Sequence, residues 1–276
     1  MEVKETVFSN MNEHPDYVSG QSKEWCQQLA SQTGKYEYTW NYHHDGLIAE
    51  EVLTTELAAL MQGKVLDVGC GHGEYTNQWA SCVEEIVGYD MTEDFIETAN
   101  KRKKSNVNYV VGRTQDGLPF PDDYFDVAYT KKGPTSWYQD GNRIVRPGGS
   151  LILFHPVDGN GKGSELGECF PGLFPPPSKG TPVLDIINER LDKSGLIDIK
   201  LRHIKETVWI PSPDDVLTMK CFGQSKQYTQ YVKEQCFNKI IANFERHATT
   251  KGIKVTNFYC LIRATATETP NNNLKS

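Results

Sequence analysis

Three glycines at alternate positions stand out in the run VLDVGCGHGEYT, residues 65–76: Gly69, Gly71 and Gly73, with Asp67 two residues before the first. Glycine lets a backbone turn tightly and lets a ligand approach without a Cβ in the way. The run leaves an apolar stretch that reads as a buried strand and enters one that reads as a helix, the place where open α/β sheets bind ligands. A plain strand–helix turn is the competing reading of the glycines alone. Asp90 closes the next strand-like stretch, EIVGYD (85–90). A carboxylate at that point can accept hydrogen bonds from both hydroxyls of a ribose. The run is not G-x-x-x-x-G-K-[ST], so it offers no lysine-bearing phosphate cradle, and D-x-G-x-G-x-G is not the dinucleotide pattern G-x-G-x-x-G. Asp67 repels a pyrophosphate and suits a cationic ligand carrying an ammonium and a sulfonium.

Those residues need elements to hold them. KVLDVG (64–69), EIVGYD (85–90), VNYVVG (107–112), FDVAYT (125–130) and GSLILF (149–154) read as strands. Between them, 73–83 and 91–104 read as helices, the second with Thr92 as its N-cap, acids in its first turn and lysines at its end. Strands alternating with helices at this spacing predict parallel strands with crossover helices, an α/β doubly wound sheet. Residues 155–180 are rich in glycine and proline and read as a long loop, in which FPGLFPPP (170–177) is either a lid or an ordinary surface loop. Helices are expected over 181–195, 212–222 and 227–248, and strands over 197–210 and 254–267. The expected organisation is a helical N-terminal cap over 1–60, a main domain over 61–268 with a helical insert at 211–252, and a disordered tail over 269–276.

VLDVGCGHGEYT resembles the first motif of the class I S-adenosylmethionine-dependent methyltransferases. IVGYDMTEDFIETAN looks like their second motif, LPFPDDYFDVAYT (118–130) like their fourth-strand region, and RIVRPGGSLILF (143–154) like the motif leading into the fifth strand. Four motifs in order cover roughly 60–155, and the later elements fit the family's sixth strand and antiparallel seventh. The resemblance implies a seven-stranded, mostly parallel Rossmann-like sheet and S-adenosyl-L-methionine as cofactor. It implies that Asp67, Gly69, Cys70, Gly71 and Gly73 wrap the methionine part, that Asp90 holds the ribose and that Met91 packs on the adenine, with first-turn helix packing as the alternative for Met91. Where the family often has an acid after the third strand, this chain has Arg113 and Thr114, with Asp116 nearby, so which of the three meets the adenine stays open. Thr130, after the fourth strand, is the expected contact near the methyl group.

Methyl transfer from a sulfonium is an in-line displacement, and a general base is needed only when the nucleophile must lose a proton. His155, read as following the fifth strand, is the candidate base; a loop histidine satisfied by a backbone carbonyl is the bland alternative. Tyr38, Trp40, His43 and His44, in the aromatic-rich YTWNYHHDG (38–46), and Trp137 are candidate substrate-pocket residues, with simple packing as the alternative for each. Lys131 and Lys132 either meet an anionic substrate or are solvated loop charges.

A net charge of −7 is a poor electrostatic match for nucleic acid. Seven cysteines with no C-x-x-C pair read as free thiols, no metal-ligand set is visible, the N-terminus has no secretory h-region, and no window reaches the roughly 18 apolar residues of a membrane span. These features favour a cytoplasmic enzyme methylating a small molecule. Two alternatives remain: an RNA base methyltransferase, to which LPFPDDYFDV and RIVRPGG bear a faint likeness but which lacks that group's cysteine zinc module, and a catalytically silent cofactor-binding or scaffold protein. Oligomeric state is not readable from one sequence.

Overall fold

The structure is a computed structural model that describes residues 8–163 and 165–268; the expected tail over 269–276 lies outside the described residues. Eight strands are described: β1 (His43–His44), β2 (Lys64–Val68), β3 (Glu85–Asp90), β4 (Val107–Val111), β5 (Phe125–Lys131), β6 (Val145–Pro156), β7 (Ile197–Ile210) and β8 (Ile253–Thr265). They form one sheet in the order β1-β7-β8-β6-β5-β2-β3-β4. The run β6-β5-β2-β3-β4 is parallel, β8 is antiparallel to β6, and β1 is antiparallel to β7. The mostly parallel α/β sheet is the one expected. Its count is eight rather than seven because two residues, His43 and His44, pair with Trp209 and Val208. The chain winds outward from β2 through β3 to β4 and then returns to β5 on the other side of β2. The strand order therefore reverses between β2 and β5, whose carboxyl ends make the crevice where such sheets bind ligands.

The chain divides into two compact units, one of Ala49–Val157, Pro182–Ile204 and Tyr259–Ser276, the other of Met1–Ile48, Asp158–Thr181 and Lys205–Phe258. In the first, strand alternation sorts residues onto two faces. Leu66, Val68, Val87, Tyr89, Ala128, Leu151 and Leu153 face one core, with Tyr138, Ile144, Ile187 and Leu191 from the helices Tyr138–Ile144 and Pro182–Asp192. Val65, Ile86, Val127, Tyr129, Ile152 and Phe154 face the other, with Leu53 and Leu57 from the helix Ala49–Ala58. Residues 49–60, read from sequence as part of a cap, thus pack on the sheet, because Ala49, Leu53 and Leu57 are fully buried there.

The second unit has its own core, in which Phe8 and Met11 meet Phe170, Leu173, Val208, Ile210, Val216, Tyr228, Val232 and Ile240. Segments expected as cap, loop and insert therefore share one apolar centre. The long loop is not without structure: Glu165–Cys169 is a helical turn, and the buried Phe170 and Leu173 anchor FPGLFPPP.

Two helices are shorter than their sequence pattern. The first stops at Gln78, and Ala80–Cys82 is a separate 3-10 turn, with Trp79 and Ala80 buried. The second is Glu93–Asn100, and Thr92 stands at its N-cap without a side-chain capping bond. Thr92 instead donates its backbone N–H to Asp90 Oδ1 at 2.9 Å. Among the described residues, no helix is long and apolar enough to cross a membrane, and no group of three metal-ligating side chains is found.

Candidate active site

The turn after β2 is tied to the end of β3. Gly69 N–H and Cys70 N–H both donate to the Tyr89 carbonyl, at 2.7 and 3.3 Å, and Gly71 N–H donates to Asp90 Oδ2 at 2.9 Å. With Thr92 on its other oxygen, the Asp90 carboxylate joins the glycine turn to the start of the next helix. Burial raises the Asp90 pKa, against its hydrogen bonds to Thr92 and Gly71.

All three glycines have left-handed backbone, φ 84°, 54° and 75° at Gly69, Gly71 and Gly73, which L side chains rarely adopt. At two of them the space is also closed. A Cβ on Gly69 would lie 2.7 Å from Pro134 Cδ and 3.0 Å from Gly133 Cα, and one on Gly73 would overlap the Tyr109 phenol. The glycine at the turn's start thus lets the loop after β5 close against it, at the strand-order reversal. Tyr109 donates its hydroxyl to the Gly73 carbonyl at 2.9 Å and props the turn from β4.

Asp67 is not on the face of the turn. It is buried, and its Oδ2 accepts from Thr76 Oγ1 at 2.7 Å and from the Tyr129 hydroxyl at 2.8 Å. Burial raises its pKa to about 6, against those two hydrogen bonds and the attraction of Lys131. Its carboxylate ties the helix after the turn to β5 beneath the glycines. Burial and the neighbouring Asp90 and Asp67 push the Cys70 thiol well above its ordinary value. Cys70 is therefore a neutral, half-buried thiol in the turn.

Other expected residues fall into place one by one. Met91, half-buried, follows Asp90 directly. Arg113 is exposed and donates to Gln115 Oε1 at 2.8 Å, whereas Thr114 shares a 2.7 Å hydrogen bond with Ser136 in the loop after β5. Asp116 is exposed at the end of the 3-10 turn Thr114–Asp116. Thr130, expected near the methyl group, is fully buried, and its hydroxyl donates to the Val68 carbonyl at 2.7 Å, bracing β5 against β2.

His155 lies within β6 rather than after it and is buried. Its Nε2 is 2.8 Å from the Tyr138 hydroxyl, and the ring also hydrogen-bonds the Gly133 backbone. Burial, aided by Arg190, lowers its pKa to about 4 despite the Gly133 bond. The imidazole is neutral and committed on both sides, so it holds the loop after β5 rather than standing open as a base. Trp137, expected against a substrate, is fully buried in the sheet core, with its indole N–H donating to the Pro134 carbonyl at 3.0 Å.

Tyr38, Trp40, His43 and His44 belong to the other unit. Tyr38 and Trp40 stack with centroids 4.5 Å apart, and both meet Phe222 edge-on. His43 and His44 are exposed on β1, with His44 Nδ1 3.5 Å from Glu206 Oε1. The residues that sequence reasoning missed are supports: Thr76, Tyr109, Tyr129, Gly133 and Pro134. Only alternation along VNYVV offered a signal, placing Tyr109 on one face of β4.

Residues 66–153 match a family model described as a methyltransferase domain. The chain is 33% identical over 136 residues to 27-O-demethylrifamycin SV methyltransferase of Amycolatopsis mediterranei, covering 41% of this chain and 50% of that one. It spans half or less of the length of several curated relatives that it matches. In fold it is similar to a functionally unknown protein from Deinococcus radiodurans R1 (TM-score 0.58, 17% identity, 87% of this chain and 96% of that one). It is also similar to the YcgJ protein of Bacillus subtilis (TM-score 0.53, 18% identity, 79% and 98%). The parallel sheet with its antiparallel β8, and the glycine turn at the strand-order reversal, agree with the methyltransferase-domain match over residues 66–153. Residues 66–153 thus match the methyltransferase-domain family, and the fold of the chain is similar to that of the solved structures.

Proposed function

We propose that the chain transfers a methyl group from S-adenosyl-L-methionine to a small-molecule acceptor. The single observation that carries the reading is the Asp90 clamp: a strand-end carboxylate fixes the glycine turn through Gly71 N–H at the point where the strand order reverses. Asp90 Oδ2 holds Gly71 N–H and Oδ1 holds Thr92 N–H, which fixes the carboxylate at the strand end, where the proposed ribose site lies. The residues fit the cofactor. Gly69 to His72 are only half-buried, so the turn has a surface to offer, and Asp67 and Asp90 set a negative field that suits a cationic ligand. In this reading Gly69, Cys70, Gly71 and Gly73 hold the methionine part and Asp90 the ribose. Met91 packs on the adenine, with Thr114 and Asp116 beside it.

The cofactor supplies an electrophilic methyl on a sulfonium. The chain's part is to orient it and keep water away. Tyr109, Thr76 and Tyr129 hold the turn from below, and His155 with Tyr138 holds the loop at Gly133 that closes on Gly69. No base is assigned to His155, whose ring is already committed. A small acceptor agrees with the rifamycin methyltransferase relative and with the net charge of −7, which disfavours an RNA.

The test is calorimetric titration of the purified chain with S-adenosylmethionine and S-adenosylhomocysteine, followed by an acceptor screen with radiolabelled methyl donor. Micromolar binding with label transferred to a small acceptor is the expected result. Absence of binding to either cofactor form rejects the reading, and binding without turnover on any acceptor pool marks a catalytically silent protein.

A further inference from the structure

Strand β5 ends at Lys131, Lys132 follows it, and both lysines reach one carboxylate. Lys131 Nζ is 2.7 Å from Glu50 Oε2 and Lys132 Nζ is 2.6 Å from Glu50 Oε1. Consecutive strand residues point to opposite faces. These two converge because the chain turns at Lys132, which has φ 58°, the left-handed region that costs a non-glycine residue about 1 kcal/mol or more. Strain of that kind collects at ligand sites. Each ammonium also lies over a ring, Lys131 4.2 Å from the Tyr75 centroid and Lys132 5.2 Å from that of Tyr259. The Tyr75 hydroxyl in turn is 3.0 Å from Thr54 Oγ1, one helical turn beyond Glu50.

The lysine side chains are 26% and 21% exposed and that of Glu50 39%, so the group is partly desolvated yet reachable. Burial works to raise the Glu50 pKa, but the two ammoniums outweigh it and hold it at about 2. Both ammoniums thus face Glu50, and Lys131 also attracts the buried Asp67. The cluster is also next to the glycine turn, since Gly133, which follows Lys132, meets Gly69.

We propose that Lys131 and Lys132 bind the carboxylate of an acidic methyl acceptor, with Glu50 as the internal carboxylate that fills the pair until the acceptor arrives. Glu50 already displays the mode, one oxygen on each ammonium. The assignment rests on the methyltransferase reading of the same domain.

The experiment measures binding of benzoate and benzamide, by calorimetry at low salt, to the purified chain with and without S-adenosylhomocysteine. Benzoate is expected to bind at least tenfold more tightly than benzamide, and the double variant Lys131→Met, Lys132→Met is expected to abolish that preference. Glu50→Gln, which leaves both lysines, is expected to tighten benzoate binding severalfold by removing the competitor. Equal binding of the two probes, binding of neither, a preference that survives loss of both lysines, or unchanged or weaker benzoate binding in Glu50→Gln overturns the proposal. The S-adenosylhomocysteine titration reports separately on the methyltransferase reading, so either idea can fail without the other.

Discussion

Asp90 and Gly71 are joined by a 2.9 Å hydrogen bond from backbone N–H to carboxylate, which makes the strand-end acid and the glycine turn one mechanical piece. The other oxygen of Asp90 holds Thr92 N–H at 2.9 Å. Asp90→Ala removes both bonds, each to a charged acceptor. Affinity for S-adenosylhomocysteine is expected to fall by about 1–3 kcal/mol, roughly five- to 150-fold. Calorimetry on the folded variant reads it directly, and an unchanged dissociation constant would move the ribose site elsewhere.

Gly69→Ala tests the contact between the loops after β2 and β5. The new Cβ meets backbone and a proline ring at 2.7–3.0 Å, at a φ of 84°. Neither neighbour is the end of a flexible side chain, so strain and overpacking add to about 2–4 kcal/mol. Urea unfolding measures the loss, with Gly20→Ala, which has nothing within 4 Å, as the neutral control. Equal midpoints in the two variants would mean that the two loops do not close as described.

Tyr109 separates a hydrogen bond from a packing role. Its hydroxyl bonds the Gly73 carbonyl at 2.9 Å, and its ring fills the space that a Cβ on Gly73 or Gly88 would need. Tyr109→Phe is expected to cost about 1 kcal/mol and Tyr109→Ala about 3–5 kcal/mol in unfolding free energy. A phenylalanine variant as unstable as the alanine one would place the whole effect on the hydroxyl.

These three residues show what the sequence could carry. Asp90 and the glycines were legible because their types are demanded by local backbone: an acid at a strand end and turns only glycine makes easily. The parallel sheet was legible because period-2 and period-3.6 patterns alternate over 64–154. The partners were not, because Tyr109, Tyr129 and Thr76 come from three different elements and only the sheet order brings them under one turn. The surroundings of Thr130 and Trp137 were hidden for the same reason. Position after a strand was visible, but whether the side chain faced a ligand or the core depended on Val68 and Pro134, which lie in other segments or in the loop's own turn. The second unit was the least legible part, since its core joins segments as distant as Phe8, Phe170 and Val232.

Asp67 and His155 titrate in the same pH window with opposite signs. The folded pKa of Asp67, about 6, lies above its ordinary 3.8, so its contribution to stability is full below pH 4 and is lost as pH rises through 6. The folded pKa of His155, about 4, lies below its ordinary 6.5, so its contribution is full above pH 6.5 and is lost as pH falls through 4. Each effect is of the order of 3 kcal/mol, and in the intact protein they nearly cancel between pH 4 and 6. Asp67→Asn leaves the histidine alone, so its unfolding free energy relative to the parent is expected to climb with pH across that window. His155→Gln leaves the aspartate, and its difference curve is expected to fall. Urea unfolding of the three proteins at half-unit steps from pH 4 to 7 measures both slopes, and subtraction of the parent curve removes every other titrating group. Two flat difference curves would mean that neither group is held away from its ordinary pKa, and with that the buried support beneath the turn and its closing loop would have to be redrawn.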